Sequence, residues 1–418
     1  MNAHTPNPRV QEWIDRAKDA NILDVAEKAG AILKRSGPEN TGPCPSCGGT
    51  DRFSVNTVKR TWNCRGGMDE KLSGKSVIDL YMHAQQPISF LDAVEAITGE
   101  AKPDGIREEP PEERQEREAR AAKQRAKNEA KREQEAKAEE AKHLRDEATI
   151  ADILARAVPI LGTHGAAYLH DGRKLELRKK FLRDILFVKD LDYWGFPDAT
   201  SADKRRLGTF PAVVAVIRDV VGNVIGISAT VLDPVEPKKW VPPWEAHLPK
   251  KERRNDPTKI RGDKKGGMIR LGEIGPKLAV GEGFINVLAW HQLGFGEDDT
   301  SLAAAVDLYN LSGKWVGTQE HPTRKNPETG KPTPIPSGIP DTGPDGHGAI
   351  LPAWVKDVTM IGDGDSERIA TRRAMVTGYR RWRDEGRAVR VHMAPEPFDF
   401  ADVLTRHLAG DDVQGLRA

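Results

Sequence analysis

Glu282 stands directly after the apolar run LAVG (278–281), and Asp363 and Asp365 follow a second one in VTMIGD (358–363). If both runs are parallel strands, the loops at their carboxyl ends gather on one edge of the sheet and the three carboxylates converge there. Crowded carboxylates repel one another, and a hard divalent cation makes the arrangement tolerable. Mg2+, or Mn2+ in its place, takes oxygen ligands, keeps part of its water, and is commonly shared between carboxylates and phosphate. Such a centre can activate a hydroxyl and stabilise charge on a transferring phosphoryl group. Gly283 and Gly364 leave room for phosphate to approach. A lone carboxylate after a strand reads as a cap for the next helix. Glu-Gly after one strand and Asp-x-Asp after a later one favours metal. Asp399 and Asp402, after the last expected strand, are either outer ligands or an N-cap.

All three cysteines lie near the start of the chain. Cys44-Pro-Ser-Cys47 precedes Gly48 and Gly49, and Cys64 ends a strand-like TWNC. This is the order of a zinc ribbon, in which the metal supplies the core that a small module lacks. The usual second arm would place a ligand at position 67, which is Gly67. Only three ligands are visible, so two readings stay open: Zn2+ with Asp69, a histidine such as His83, or water as the fourth ligand, or three free thiols.

The elements that must position these residues fall into four segments. Residues 1–105 carry the cysteines and an apolar-periodic stretch. Residues 106–147 are almost entirely Glu, Lys, Arg, Ala and Gln without an apolar stripe, and read as a solvated helical linker or a partly disordered tether. Residues 148–273 include two apolar runs, 211–217 and 224–232, joined at Gly222 and Asn223 as a hairpin. Residues 274–418 alternate strands with helices at 283–293 and 366–386, the pattern of a parallel sheet with helices on its faces. The Pro/Gly-rich stretch 317–348 interrupts that unit as an insertion. The expected fold class is therefore α/β with α+β, in several domains.

Ahead of the carboxylate segment, positive charge gathers at Lys238, Lys239, Lys250, Lys251, Arg253, Arg254, Lys259, Arg261, Lys264, Lys265 and Arg270, with Trp240 and Trp244 among them. Cations that displace counterions from phosphate, beside aromatics on which bases stack, describe a single-strand track; a solvated loop is the competing reading. Arg52, Lys59, Arg60, Trp62 and Arg65 could act likewise in the cysteine module.

The motifs VGEGFINVLAW, TMIGDGDSERIATRRAM and FDFADVL together resemble a Toprim domain, the Rossmann-like fold shared by bacterial primases, topoisomerases and some nucleases. The segment CPSCGGTDRFSVNTVKRTWNCRGG is similar to the zinc-binding module of bacterial and phage primases. Module, linker and Toprim unit in this order resemble the primases of phages and mobile elements. The resemblance implies synthesis of RNA primers on single-stranded DNA from NTPs, beside a separate replicative helicase. In that family the residues matching Asp363 and Asp365 bind metal, and the one matching Glu282 binds metal or acts as general base. Gly67 departs from the pattern. A Toprim nuclease and a decayed DNA-binding accessory are the alternatives, and retention of all three carboxylates speaks against the second.

Composition excludes other classes. Of 418 residues, 30% are charged and 38% hydrophobic, with 64 Lys and Arg against 63 Asp and Glu. No run approaches the roughly 18 apolar residues of a membrane helix, and the N-terminus lacks a signal peptide's apolar core. Three cysteines cannot close a disulfide framework, so a cytoplasmic location without membrane contact is expected. GKS at 74–76 is no Walker A motif, since the required earlier glycine is Asp69.

Overall fold

In the computed structural model, the residues described are 8–36, 39–64, 73–74, 76–103, 111–325, 332–343 and 346–411. Gly67 and Asp69 lie outside them, as does Arg65. The chain divides into two compact units, Met1–His143 with Gly317–Pro334, and Leu144–Val316 with Ile335–Ala418.

The first unit opens with helices α1 (Pro8–Asp19) and α2 (Ile22–Lys28). A five-stranded antiparallel sheet follows, in sequence order: β1 (Lys34–Ser36), β2 (Glu39–Cys44), β3 (Gly48–Asn56), β4 (Thr61–Cys64) and β5 (Ser73–Gly74). Helices α3 (Val77–Ala84) and α4 (Phe90–Thr98) come next, capped by Ser76 and Ser89. Trp13, Phe53, Trp62, Ile22, Ile78 and Leu80 are its largest fully buried side chains among the described residues. Helix α5 (Pro111–Arg156) then runs for 46 residues, about 69 Å at 1.5 Å per residue. It continues past the charged stretch, because Ile150 and Ile153 near its end insert into the core of the second unit.

The second unit is built on a ten-stranded mixed sheet. Its first part comprises β6 (Val158–Pro159), α6 (His164–Ala167), β7 (Ile185–Gly195), β8 (Arg205–Arg218), β9 (Val224–Val231), β10 (Thr258–Gly262) and β11 (Met268–Leu271). β8 and β9 form the expected hairpin, with Ala212 opposite Val231. Four parallel strands complete the sheet. These are β12 (Lys277–Gly281), β13 (Ser301–Ala304), β16 (Asp357–Gly362) and β17 (Ala388–Met393), accompanied by helices α7 (Phe284–Gln292), α8 (Leu308–Ser312), α9 (Arg368–Asp384) and α10 (Phe400–Leu408); β14 (Thr318–Lys325) and the first part of β15 (Pro332–Pro336) belong to the residues grouped with the first unit. The order along this edge is β11-β13-β12-β16-β17, and β14 pairs with β15 as a separate two-stranded sheet inside the expected insertion.

Apolar residues on both sides of these strands explain the layering. Leu278, Val280, Ala303, Val358 and Met360 face Leu311, Met375 and Trp382 of α8 and α9. Ala279, Leu302, Ala304 and Ile361 face Val287, Leu288, Trp290, Phe400 and Leu404 of α7 and α10. The alternation along each strand sorts side chains to the two faces. α9 lies close because Gly378 has no side chain: a Cβ there would sit 2.6 Å from the Met360 terminal methyl. Among the described residues, no helix is long and apolar enough to cross a membrane.

Candidate functional site

Register places the carboxylates. β12 lies between β13 and β16, and Gly281 is level with both Ala304 and Ile361. Glu282 therefore leaves the sheet where Asp363 leaves the adjacent strand, and Asp365 is two residues further on. The electrostatics reflect this. Burial first, then the charges of Asp363, Asp307 and Asp365, push the Glu282 carboxyl up to about 7. Asp363 is raised to about 6 by burial, then by Asp399 and Asp365, against a hydrogen bond from Asn286. Several like charges at one partly buried sheet edge hold protons that a cation would displace. The donors are all oxygen, which suits a hard divalent ion. Among the described residues, however, only the cysteine–histidine group below has three or more ligand atoms all within 4.8 Å of one another. The carboxylates are close enough to repel and more widely spaced than that.

Of the two roles expected of Asp399, the cap is the one seen. Its side chain caps α10 by accepting from the Asp402 amide at 2.8 Å, and its charge raises Asp363. Gly283 has open space around it, whereas Gly364 does not. A Cβ on Gly364 would meet the carbonyl oxygens of Ala394, Phe398 and Pro395 at 2.6–2.7 Å, and its amide donates to Phe398 at 3.0 Å. That glycine makes room for the chain between β17 and α10, which corrects the expectation that it admits phosphate.

Sequence reading missed Asp307. It follows β13 as Glu282 follows β12, but two residues later, after Val306 at φ +75°. A β-branched residue in the left-handed region is strained, and here it turns the chain so that Asp307 caps α8 and faces Glu282. Asp307 is ion-paired with Lys264. Asn286 was also missed: buried on α7, it donates to Asp363 Oδ1 at 2.9 Å. No motif marks it, and only its place one turn beyond Glu282 could have. Lys250 lies near enough to draw both carboxyls down, and Asp399 acts on Lys239.

The basic stretch is more structural than its composition implies. Trp240 is buried, its ring 4.2 Å from that of Phe210 and 5.1 Å from that of Tyr193, so it offers bases no face. This corrects the expectation of a stacking residue; an indole beside Val231 fills the hydrophobic gap under β9. Arg254 donates to the carbonyls of Asp198, Ala199 and Ser201 and stacks over Phe196 at 3.9 Å. Arg253 donates to Leu248 O, and Lys259 lies over Tyr193. Lys238 pairs with Glu236 at 2.7 Å. Arg261 is partly exposed on β10 and Lys265 is exposed in the following turn. In the first unit Trp62 is buried and Arg60 donates to the carbonyls of Lys18 and Ala20, so neither lies open to nucleic acid as expected.

The three cysteines meet a fourth donor. Cys44 at the end of β2, Cys47 in the turn, Cys64 at the end of β4 and His83 on α3 form one buried group. Cys44 Sγ lies 3.4 Å from His83 Nε2, and Cys47 Sγ 3.3 Å from Cys64 Sγ. Three sulfurs and an imidazole nitrogen are a standard zinc set, and a tetrahedral ion could share this volume. Hydrogen bonds with Cys47 and Cys64 hold the Cys44 thiol far below its usual range. Burial opposes protonation of His83, yet hydrogen bonding with Cys44 and Cys47 lifts it to about 9. Both shifts express one demand: clustered thiolates require positive charge. Packing holds the imidazole, with Trp62 stacked at 5.3 Å and Phe53 at 6.4 Å, since its Nδ1 has no hydrogen-bond partner.

A family model described as a domain of unknown function (DUF7146) matches residues 145–271. No curated protein matches the chain. The structural neighbours are primase zinc-binding and catalytic domains. The chain is similar to the zinc-binding and RNA polymerase domains of the Aquifex aeolicus primase, at 15% identity and a TM-score of 0.33, covering 94% of this chain and 82% of that one. It is similar to a DNA primase domain from Pseudomonas aeruginosa at 16% identity and a TM-score of 0.32, over 63% and 74% of the two chains. A DnaG primase catalytic domain bound to ssDNA gives 15% identity and a TM-score of 0.31, over 59% and 72%.

Proposed function

We propose that the chain is a DNA primase with a Toprim-type catalytic unit, of the kind carried by phages and mobile elements. It would join ribonucleotides on a single-stranded DNA template. The observation that carries this reading is the meeting of Glu282 and Asp363 at the carboxyl ends of adjacent parallel strands, each holding its proton well above the usual carboxylate range. Glu282, Asp363 and Asp365 would hold Mg2+ or Mn2+, with Asp399 behind them. When bound, the ion supplies charge neutralisation for the triphosphate and a more acidic primer hydroxyl.

The chain's own groups do the rest. Glu282 would either hold the ion or, as general base, take the proton of the 3′ hydroxyl as it attacks the α-phosphate and pyrophosphate leaves. Asn286 fixes the Asp363 carboxyl. Lys250 and Lys264 oppose negative charge at the same edge, and Arg261, Lys265 and Lys238 would meet the template backbone. Cys44, Cys47, Cys64 and His83 would hold Zn2+ as the core of a template-recognition module. Unwinding would fall to a separate helicase.

Incubating the protein with Mg2+, labelled NTPs and single-stranded DNA should give short RNA products. Asp363→Asn should cut their yield by roughly a hundredfold or more with the fold intact. Degradation of the DNA instead would sink the reading in favour of a nuclease.

A further inference from the structure

Helix α9 starts three residues past Asp365 and carries six arginines in its 17 residues. Thr371, Ala374, Met375, Thr377, Gly378 and Trp382 bury one side of it. Arg368, Arg372, Arg373, Arg380 and Arg383 fall on the other side, within about 140° of the circumference and along about 22 Å of the axis. The sixth, Arg381, turns toward α8 and donates to Leu311 O at 3.1 Å.

This row does not serve the helix's own stability. Between Arg368 and Arg383 the sequence has no Asp or Glu, so no i,i+4 pair offsets the charge. Arg368 and Arg372 stand one turn apart, as do Arg380 and Arg383, and like charges at that spacing repel. Three of the five occupy the first two turns, where the helix dipole favours anions. Glu396 meets Arg368 at 3.0 Å and Arg372 at 3.5 Å, one carboxylate for two guanidiniums that stay 58% and 54% exposed. Arg380 donates to Gly338 O at 2.9 Å and Arg383 to the Tyr379 hydroxyl at 3.0 Å. The Arg373 guanidinium has no partner among the described residues. Each guanidinium carries five donors, so most of them remain open.

We infer that the arginine face of α9 holds the phosphate backbone of the RNA–DNA duplex formed at the carboxylates. Three features select this occupant. A row of guanidinium forks matches phosphate oxygens, and their contacts carry no base preference. The aromatic on this face, Tyr379, is packed against the core with its hydroxyl taken by Arg383, so unpaired bases find no ring to stack on. The row begins one helical turn beyond Asp365, where a newly paired product first leaves the reacting edge. The inference rests on the nucleotidyl-transfer reading and names a surface for its product, apart from the segment 238–265.

The test is equilibrium binding to the full chain, without turnover. A short RNA–DNA hybrid is compared with single-stranded DNA of the same length, each titrated by fluorescence anisotropy across a series of salt concentrations. Arg372→Gln, Arg373→Gln and Arg383→Gln should each weaken hybrid binding and flatten the slope of log affinity against log salt by about one. The three together should cost roughly a hundredfold or more in hybrid affinity at moderate salt. Arg372→Lys should keep the slope, and affinity for single-stranded DNA should match wild type in every variant. In wild type, the hybrid should protect these five arginines from phenylglyoxal, read by mass spectrometry; this measurement stands even if a variant fails to fold. Unchanged hybrid affinity in folded variants, or no protection in wild type, overturns the inference. An equal or selective loss for single-stranded DNA overturns it too, assigning the row to template. The two claims fail separately. If nucleotidyl transfer is wrong, no RNA product forms while hybrid binding still depends on the arginines. If the row is wrong, primers are made by a chain whose hybrid affinity the variants leave unaltered.

Discussion

The Asn286 side chain joins Asp363 to α10: its amide donates to Asp363 Oδ1 at 2.9 Å while its oxygen accepts from the Ala401 amide at 3.3 Å. Asp363 is thereby oriented and partly relieved of the burial and like charge that raise it. Asn286→Ala should raise the Asp363 carboxyl further and weaken Mg2+ binding by about 10–100-fold, the usual effect of removing a partner from a metal-binding carboxylate. A Mg2+ titration at several pH values checks this. The deficit should narrow as pH rises, since the variant's extra penalty is proton competition.

Glu282 and Asp363 should make the metal-free protein less stable as pH rises. Both folded-state values lie above the unfolded ones, so the folded chain holds its protons more tightly. Their favourable contribution is complete in acid and is lost as pH climbs through about 6 for Asp363 and about 7 for Glu282. The melting midpoint without metal should fall across that window, and added Mg2+ should restore it most strongly above it.

Glu282→Gln should stabilise the metal-free chain at pH 8 while abolishing its response to Mg2+. The melting midpoint should rise by roughly 2–4 °C for each kcal/mol of repulsion relieved. A variant that melts lower, or still responds fully to Mg2+, would contradict a carboxylate cluster at this edge.

The first unit should contain one zinc per chain. His83→Ala should lower metal content in elemental analysis of the purified protein, and chelation should unfold α3 and the strands around it, seen as faster amide exchange over 76–84. Zinc-binding energy is folding energy in modules of this size. Full occupancy in the His83 variant would remove it from the ligand set.

Trp240→Ala should act through stability. Emptying a buried indole site typically costs about 3–5 kcal/mol, so the second unit should melt well below wild type. Trp240→Phe should recover much of that loss, and its affinity for single-stranded DNA should match wild type. A selective loss of DNA affinity in the phenylalanine variant would restore the stacking role.

The legible parts were those with strong local signals. Short apolar runs such as 278–281 and 358–362, alternating with helical segments, read as buried strands, and a carboxylate after each was expected at one edge of the sheet. The ribbon order was equally plain in the cysteine spacing. His83 lies 19 residues beyond Cys64 on a helix, so only tertiary packing could choose it over Asp69 or water. Asp307 was hidden because Val306 inserts an unusual turn between strand and cap. Trp240 misled for the opposite reason: its neighbours in sequence are lysines, and only the fold reveals that its neighbours in space are Tyr193 and Phe210. Charge density along a chain does not say which cations already serve carbonyls, as Arg254 does.

The segment from 238 to 262 is anchored at intervals. Trp240 is sunk in the core, the buried Glu245 accepts from the Arg254 and Asn255 amides, and β10 is laced to β9. A surface set before its ligand arrives gives up little chain freedom on docking. On the proposed function, a polyanion docking on this segment should therefore behave as on a rigid ion exchanger: a steep dependence on salt, a small heat-capacity change, and none of the thermodynamic signature of a segment that folds as it binds.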